Sequence, residues 1–263
     1  MKIVVFDLDE TLGYFTQYGI FWDSLANYLK VKNKPKLTQK DFDSILDLYP
    51  EFLRPNIINI LIYLKSKKKT NCCHKMMIYT NNTGPREWAR NIVSYFEKKI
   101  NFKLIDQIIA AFKINGKRVE ICRTTQNKTH KDFIKCTKIP VDAEICFMDD
   151  YFYPEMTHDN IYYINIKPYM YDLKFEYMIK TFLDSDIGKN IVGEDHKDFE
   201  EIMMEHINLF NYNVLAKDEK EYDVDKILGK HIITHLQNFF NHSTKNRTIK
   251  NRVNKKNKTF RNK

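Results

Sequence analysis

Asp7, Asp9 and Thr11 stand at alternate positions in FDLDETL. Thr80-Asn81 closes the run KMMIYTN, and Asp149-Asp150 closes ICFMDD. Brought together, these carboxylates would repel one another without a counter-ion, and their hard oxygens call for Mg²⁺. A cation there offsets the charge of a phosphate, and a carboxylate aimed at phosphorus becomes a usable nucleophile. Attack drives negative charge onto the equatorial oxygens, which then need fixed donors and a positive group. Thr80 and the backbone amides beside it can supply the donors. Lys128 and Lys131 are the candidates for the cation. Lys128 is preferred, because its distance from Asp149 suits a lysine at the start of the preceding helix.

The elements that must position these groups follow from short apolar runs. Lys2–Phe6, Lys75–Thr80 and Glu144–Met148 read as buried strands, each ending in the polar groups just named. Asn160–Ile166 reads as a fourth strand, and Ala110–Arg123 as a β-type stretch turning at Asn115-Gly116. Helical patterns cover Trp22–Leu29 and Leu37–Leu48, the second with Thr38 as N-cap. Another starts at Arg54-Pro55, with Pro55 in the first turn, and runs to Leu64. A loop is expected over Lys67–Asn71. Further helices are expected over Arg86–Lys98, Lys128–Thr137 and Phe175–Leu183. Strands alternating with helices predict an α/β fold, a Rossmann-like three-layer parallel sheet. In such a sheet ligands bind off the carboxyl ends of the strands, where the three polar clusters fall.

Beyond Gly188 only helical spacing remains, in Phe199, Ile202, Met203 and Ile207 and again in Ile227–Phe240. The expected organisation is an α/β domain over 1–187, a helical C-terminal extension over 188–242 and a basic, disordered tail over 243–263. The net charge of +9 belongs to that tail, which has nine basic and no acidic residues, leaving 34 of each sign before it. The tail can grip nucleic acid or an acidic partner. Its Lys- and Asn-rich composition is also what an AT-rich genome produces. Five cysteines without a CxxC pair read as reduced thiols. His231 and His235 are four apart on a helix, a metal spacing, but read as ordinary polar positions. The opening apolar run is too short for a secretory signal and no stretch suits a bilayer, so an intracellular protein, cytoplasmic or nuclear and away from membranes, is expected.

FDLDETL after an apolar strand, Thr80 after MMIY, a lysine before the last cluster and Asp149-Asp150 after ICFM together resemble the haloacid dehalogenase superfamily of phosphohydrolases. Leu53-Arg54-Pro55 and Tyr79-Thr80 are similar to its branch of RNA polymerase C-terminal-domain phosphatases and their relatives, including the NLI-interacting-factor-like proteins. The resemblance spans roughly residues 2–183. It implies Asp7 as nucleophile and metal ligand, and Asp9 as the acid and then base whose carbonyl also binds Mg²⁺. It implies Thr11 as a loop support, Thr80 as a phosphoryl ligand, Lys128 as the charge stabiliser, Asp149 as a metal ligand and Asp150 as a supporting group.

Asn81-Asn82 stand where that branch has a small residue, and Tyr151-Phe152-Tyr153-Pro154 where it favours Ser-Pro. Both positions face the substrate side, and Asn81 is expected to touch substrate. The inserts at Gly13–Pro50 and between Thr80 and Lys128 look too small for a full cap, which suits an open site and a phosphoprotein substrate phosphorylated on Ser or Thr. A nucleic-acid end phosphatase or nucleotidase is the alternative the tail would support, and a non-catalytic phosphate-binding scaffold is the third.

Overall fold

A computed structural model describes residues 1–241. In chain order the elements are β1 (Lys2–Phe6), α1 (Thr16–Val31), α2 (Gln39–Leu46), α3 (Ile57–Lys69), β2 (Lys75–Tyr79), α4 (Arg86–Ile100), β3 (Gln107–Ile109), β4 (Lys113–Ile114) and β5 (Lys117–Arg118). There follow α5 (His130–Thr137), β6 (Glu144–Asp149), β7 (Ile161–Asn165), α6 (Phe175–Asp184), α7 (Asp186–Val192), α8 (His196–Asn208) and α9 (Glu219–Asn241).

Five strands form one parallel sheet in the order β3-β2-β1-β6-β7. β1 is central because its apolar run can be buried on both faces: Ile3, Val4, Val5 and Phe6 are all fully buried. The chain winds outward from β1 through β2 to β3, then crosses back to β6 and β7, so the winding reverses between β1 and β6. This Rossmann-like order makes the β1–β6 crevice the place where polar groups can gather.

Alternation along the strands splits the core into two layers. Ile3, Val5, Met77, Tyr79, Ile145 and Phe147 share one face with Phe133 of α5. On the other face Tyr162 of β7 packs 6.1 Å from Phe239 of α9, whose neighbour Phe240 lies 6.2 Å from Tyr63 of α3. The β4–β5 hairpin turns where expected, with Asn115 and Gly116 both in the left-handed region.

The chain divides into two compact units, differently from the expected 1–187, 188–242 and 243–263. Among the described residues the α/β unit holds Met1–Thr11, Asn56–Pro168 and the part of α9 from Ile227 to Asn241. The second, helical unit joins Leu12–Pro55 to Tyr169–Lys226. Residues 188–242 therefore do not form an extension of their own, and the boundary falls inside α9. Nor is the segment after the first motif a small free-standing insert. In the helical unit, aromatic side chains tie α1 to α6 and α8: Phe21 lies 5.8 Å from Phe182, and Tyr28 lies 4.8 Å from Phe199.

Local differences have local causes. α3 starts at Ile57, not at Pro55, because Asn56 adopts a left-handed conformation just before it. It continues through Lys69, where a loop is expected, since three lysines in a last turn suit the negative end of the helix dipole. Thr38 caps α2 in a full capping box with Asp41, as its spacing predicts. Cys122 and Cys136, expected as free thiols, form a disulfide, because the chain after the hairpin returns to the last turn of α5. Cys72, Cys73 and Cys146 are free. The basic tail 243–263 lies outside the described residues. Among the described residues no helix is long and apolar enough to cross a membrane.

Candidate active site

β1 delivers Asp7 directly from its carboxyl end, where the Asp7 N–H continues the ladder to the Met148 carbonyl at 2.9 Å. The neighbouring strand β6 ends on Asp149. The loop after β1 turns sharply at Glu10, which has a φ of 57°. A non-glycine residue rarely adopts that conformation, and it is found where a turn is held by its surroundings. Thr11 closes the turn by donating from Oγ1 to Asp150 Oδ1 at 2.8 Å. The polar ends of β1 and β6 are thus pinned to each other.

Lys128 lies two residues before α5 and is almost fully buried, as are Asp7 and Asp149. Its Nζ donates to Asp149 Oδ2 at 2.6 Å and makes a very short contact to Asp7 Oδ1. The aromatic rings of Tyr153 and Tyr79 lie 5.3 and 6.0 Å from the same Nζ. Lys131, the other candidate, is exposed on α5. Position explains the difference: Thr129 caps α5 by accepting from the Asp132 N–H, which leaves Lys128 on the extended chain reaching inward.

The electrostatics are those of an under-neutralised cluster. Burial raises the Asp7 carboxyl, with Lys128 opposing and Asp150 adding to the shift. Burial, then the charge of Asp7, pushes Asp9 up to about 7 against a hydrogen bond from Asn82. Asp149 is likewise pushed up to about 7, by burial first and by Asp7, with Lys128 opposing. Burial pulls the Lys128 ammonium down, but Asp7 and Asp149 outweigh it and hold it above its ordinary value. Lys128 thus serves both Asp7 and Asp149, with further carboxylates on Asp9 and Asp150 beside them.

Asp7, Asp149 and Asp150 each offer a carboxylate oxygen, and these oxygens lie within 4.8 Å of one another. Such an oxygen set fits a hard divalent cation. No other group of three metal-ligating residues occurs among the described residues. His231 is exposed, and His235 Nδ1 sits 3.1 Å from the Tyr162 hydroxyl, so this pair is part of the packing of α9.

The end of β2, from Thr80 to Asn82, is held by hydrogen bonds of its own. Thr80 is buried, and its Oγ1 accepts from the Asn82 N–H at 2.9 Å. Asn81, expected to touch substrate, is instead committed on both sides. It donates to the Tyr153 hydroxyl at 2.9 Å and accepts from Arg123 at 2.8 Å. Asn82 is the residue that reaches the first motif, donating to Asp9 Oδ2 at 2.7 Å.

Arg123, Asn82 and Tyr153 are the site residues that sequence reasoning did not assign. Arg123 is fully buried and holds the carbonyls of Thr80 and Ala110 at 3.1 and 2.8 Å. A second nitrogen reaches the carbonyl of Gln126 at 2.8 Å. It thereby fixes the second motif to the loop that carries Lys128. Nothing in the local sequence marks it. Asn82 and Tyr153 did leave a signal, since both fall where the motifs are unusual.

No family model, characterised protein or solved structure matches the chain. The site therefore rests on its own geometry: paired carboxylates and a buried lysine at the carboxyl ends of adjacent parallel strands.

Proposed function

We propose that this chain is a Mg²⁺-dependent phosphomonoester hydrolase of the haloacid dehalogenase type, working through an aspartyl-phosphate on Asp7. The observation that carries the reading is the buried Asp7–Lys128–Asp149 cluster, with Asp150 beside it, at the point where the sheet reverses its winding. Its motif order and its likeness to C-terminal-domain phosphatases support the same reading.

In the first step an Asp7 carboxylate oxygen attacks phosphorus and the bond to the leaving oxygen breaks. Asp9, its carboxyl pushed up to about 7 by burial and by Asp7, gives its proton to that oxygen. In the second step the Asp9 carboxylate takes a proton from water, whose oxygen attacks the acyl-phosphate. Inorganic phosphate leaves and Asp7 is regenerated. Lys128 neutralises the phosphoryl oxygens, and Thr80 with the amides after it orients them. Asp7, Asp149 and the Asp9 carbonyl would hold Mg²⁺, with Asp150 in support. The ion, when bound, offsets charge between the carboxylates and the phosphoryl group.

The substrate proposed is a phosphoprotein phosphorylated on Ser or Thr. Exposed Tyr151 and Phe152, 64% and 52% accessible just past Asp150, favour one second reading, a nucleic-acid end whose base stacks there. Turnover of para-nitrophenyl phosphate with and without Mg²⁺, in the wild type and Asp7→Asn, tests the chemistry. Mg²⁺-dependent release that falls at least ~100-fold in the variant is expected, because a carboxamide cannot form the acyl-phosphate. Equal turnover in both proteins would remove Asp7 from the mechanism. Loss of oligonucleotide-end hydrolysis in Tyr151→Ala, with phosphopeptide hydrolysis retained, would favour the second reading.

A further inference from the structure

A cleft of about 430 Å³ opens within the α/β unit, next to the phosphoryl site. Thr80 and Asn82 are among the residues that line it. One wall is α4, through Arg90 and Val93, and another is the edge strand β3 with the chain just before it. The cleft is of a size for a short segment or small ligand.

Three features define what fits there. First, β3 is the outermost strand on its side and pairs only with β2. In a parallel ladder alternate residues bond to the same neighbour. The Ile109 carbonyl is used by the Thr80 N–H, so Ile109 faces β2 and Ile108 turns its N–H and C=O to the open edge. Second, the acidic groups of the cleft are largely committed to the fold. Glu97 accepts the Leu104 and Ile105 N–H groups, both at 2.8 Å, and Asp106 accepts the Met76 N–H and pairs with Lys68 at 2.7 Å. Glu120 points at the Ala110 N–H from 3.4 Å. Third, the cations Arg90 and Lys103 are exposed and have no hydrogen-bond or ion-pair partner among the described residues.

We infer that this cleft binds an extended acidic peptide segment, laid beside β3, which carries the phosphorylated residue to Thr80. The segment bonds through its main chain to Ile108, as strand addition to a free edge does, and sets its carboxylates against Arg90 and Lys103. The assignment of the segment as substrate rests on the phosphatase reading above; the binding of the acidic segment does not.

The test uses the full chain and a short fluorescent peptide with several glutamates, with and without one phosphoserine. Controls replace every Glu with Gln, or methylate the amides that would pair with Ile108. Binding of the unphosphorylated Glu peptide, read by anisotropy, is expected to be roughly five- to tenfold tighter than that of the Gln peptide. The preference should vanish in Arg90→Glu/Lys103→Glu, and the N-methylated peptide should bind no better than the Gln peptide. On the phosphorylated pair the same preference should appear in KM and not in kcat.

Equal binding of the Glu and Gln peptides, or a preference that survives charge reversal, overturns the inference. So does unimpaired binding of the N-methylated peptide. Binding of a 5′-phosphorylated oligonucleotide that charge reversal abolishes, with no peptide preference, would assign the cleft to nucleic acid and overturn it too. If the wild type fails to turn over para-nitrophenyl phosphate but binds the Glu peptide as described, the catalytic reading fails while the peptide cleft stands.

Discussion

Both units of this protein bury charge, and they do so in opposite ways. In the helical unit Asp225 is fully buried and meets Lys217 at 2.5 Å, an acid held beside a base. Tyr212 donates to Asp172 at 2.5 Å in the same unit, and the Leu215 N–H donates to the other Asp172 oxygen at 2.8 Å. In the α/β unit Lys128 alone faces Asp7 and Asp149, with Asp9 and Asp150 close by. A matched buried pair mainly holds a structure in one arrangement. An unmatched cluster leaves room for further positive charge, and that is what a site needs if it is to receive a cation and a phosphate together. The comparison separates charge that holds the fold from charge kept available for chemistry.

The sharpest way to break that comparison is Asp7→Asn. The variant is expected to lose at least ~100-fold in turnover while melting no lower than the wild type, since removing one of several crowded carboxylates relieves repulsion. A large drop in melting temperature would mean that the site charges hold the fold after all. The mirror experiment is Asp225→Ala, which strands Lys217 and should cost about 3–5 kcal/mol in a urea titration. The folded variant should keep its kcat on a small aryl phosphate, and a fall in kcat at full folding would break the division of labour.

Acidity sharpens the same contrast. Asp9 and Asp149 sit at about 7 in the folded, metal-free protein, well above their unfolded values. A raised carboxyl adds stability that is complete below its unfolded pKa and is lost as the pH climbs through the folded one. The melting temperature without Mg²⁺ should therefore fall between about pH 4 and pH 7. Added Mg²⁺ should raise it more at the upper end, where the carboxylates are ionised. A flat profile with no Mg²⁺ effect would argue against an under-neutralised cluster. The smallest effect is expected far from any chemistry: Thr38→Ala removes the cap of α2 and should cost about 1 kcal/mol, with activity unchanged.

What could be read from the sequence follows from the same physics. β1, β2 and β6 are legible because each is a short apolar run cut off by oxygen-bearing side chains, so strand and site announce themselves together. Lys128 is legible by its spacing before β6. β3 is not, because Gln107–Ile109 continues into Ala110 and Ala111 with no break to mark where the strand ends. The pairing of Leu12–Pro55 with Tyr169–Lys226 is set by aromatic contacts across more than a hundred residues, which no local pattern records. Arg123 looks like any polar loop residue until five main-chain and side-chain oxygens are seen around it.

The interleaving of the two units bears on how the protein is made. Lys2, the first residue of the central strand, donates from Nζ to the carbonyls of Phe239 and Phe240 at 2.5 and 3.0 Å. On a ribosome, β1 emerges before the other described elements but cannot acquire that partner until α9 has been synthesised. β1 can pair with β2 once Tyr79 has been made, but the contacts of its first residue with α9 must wait for Phe239 and Phe240. Removing β1 or the described part of α9 would then take away a piece of the same unit, and neither unit is one uninterrupted stretch of sequence.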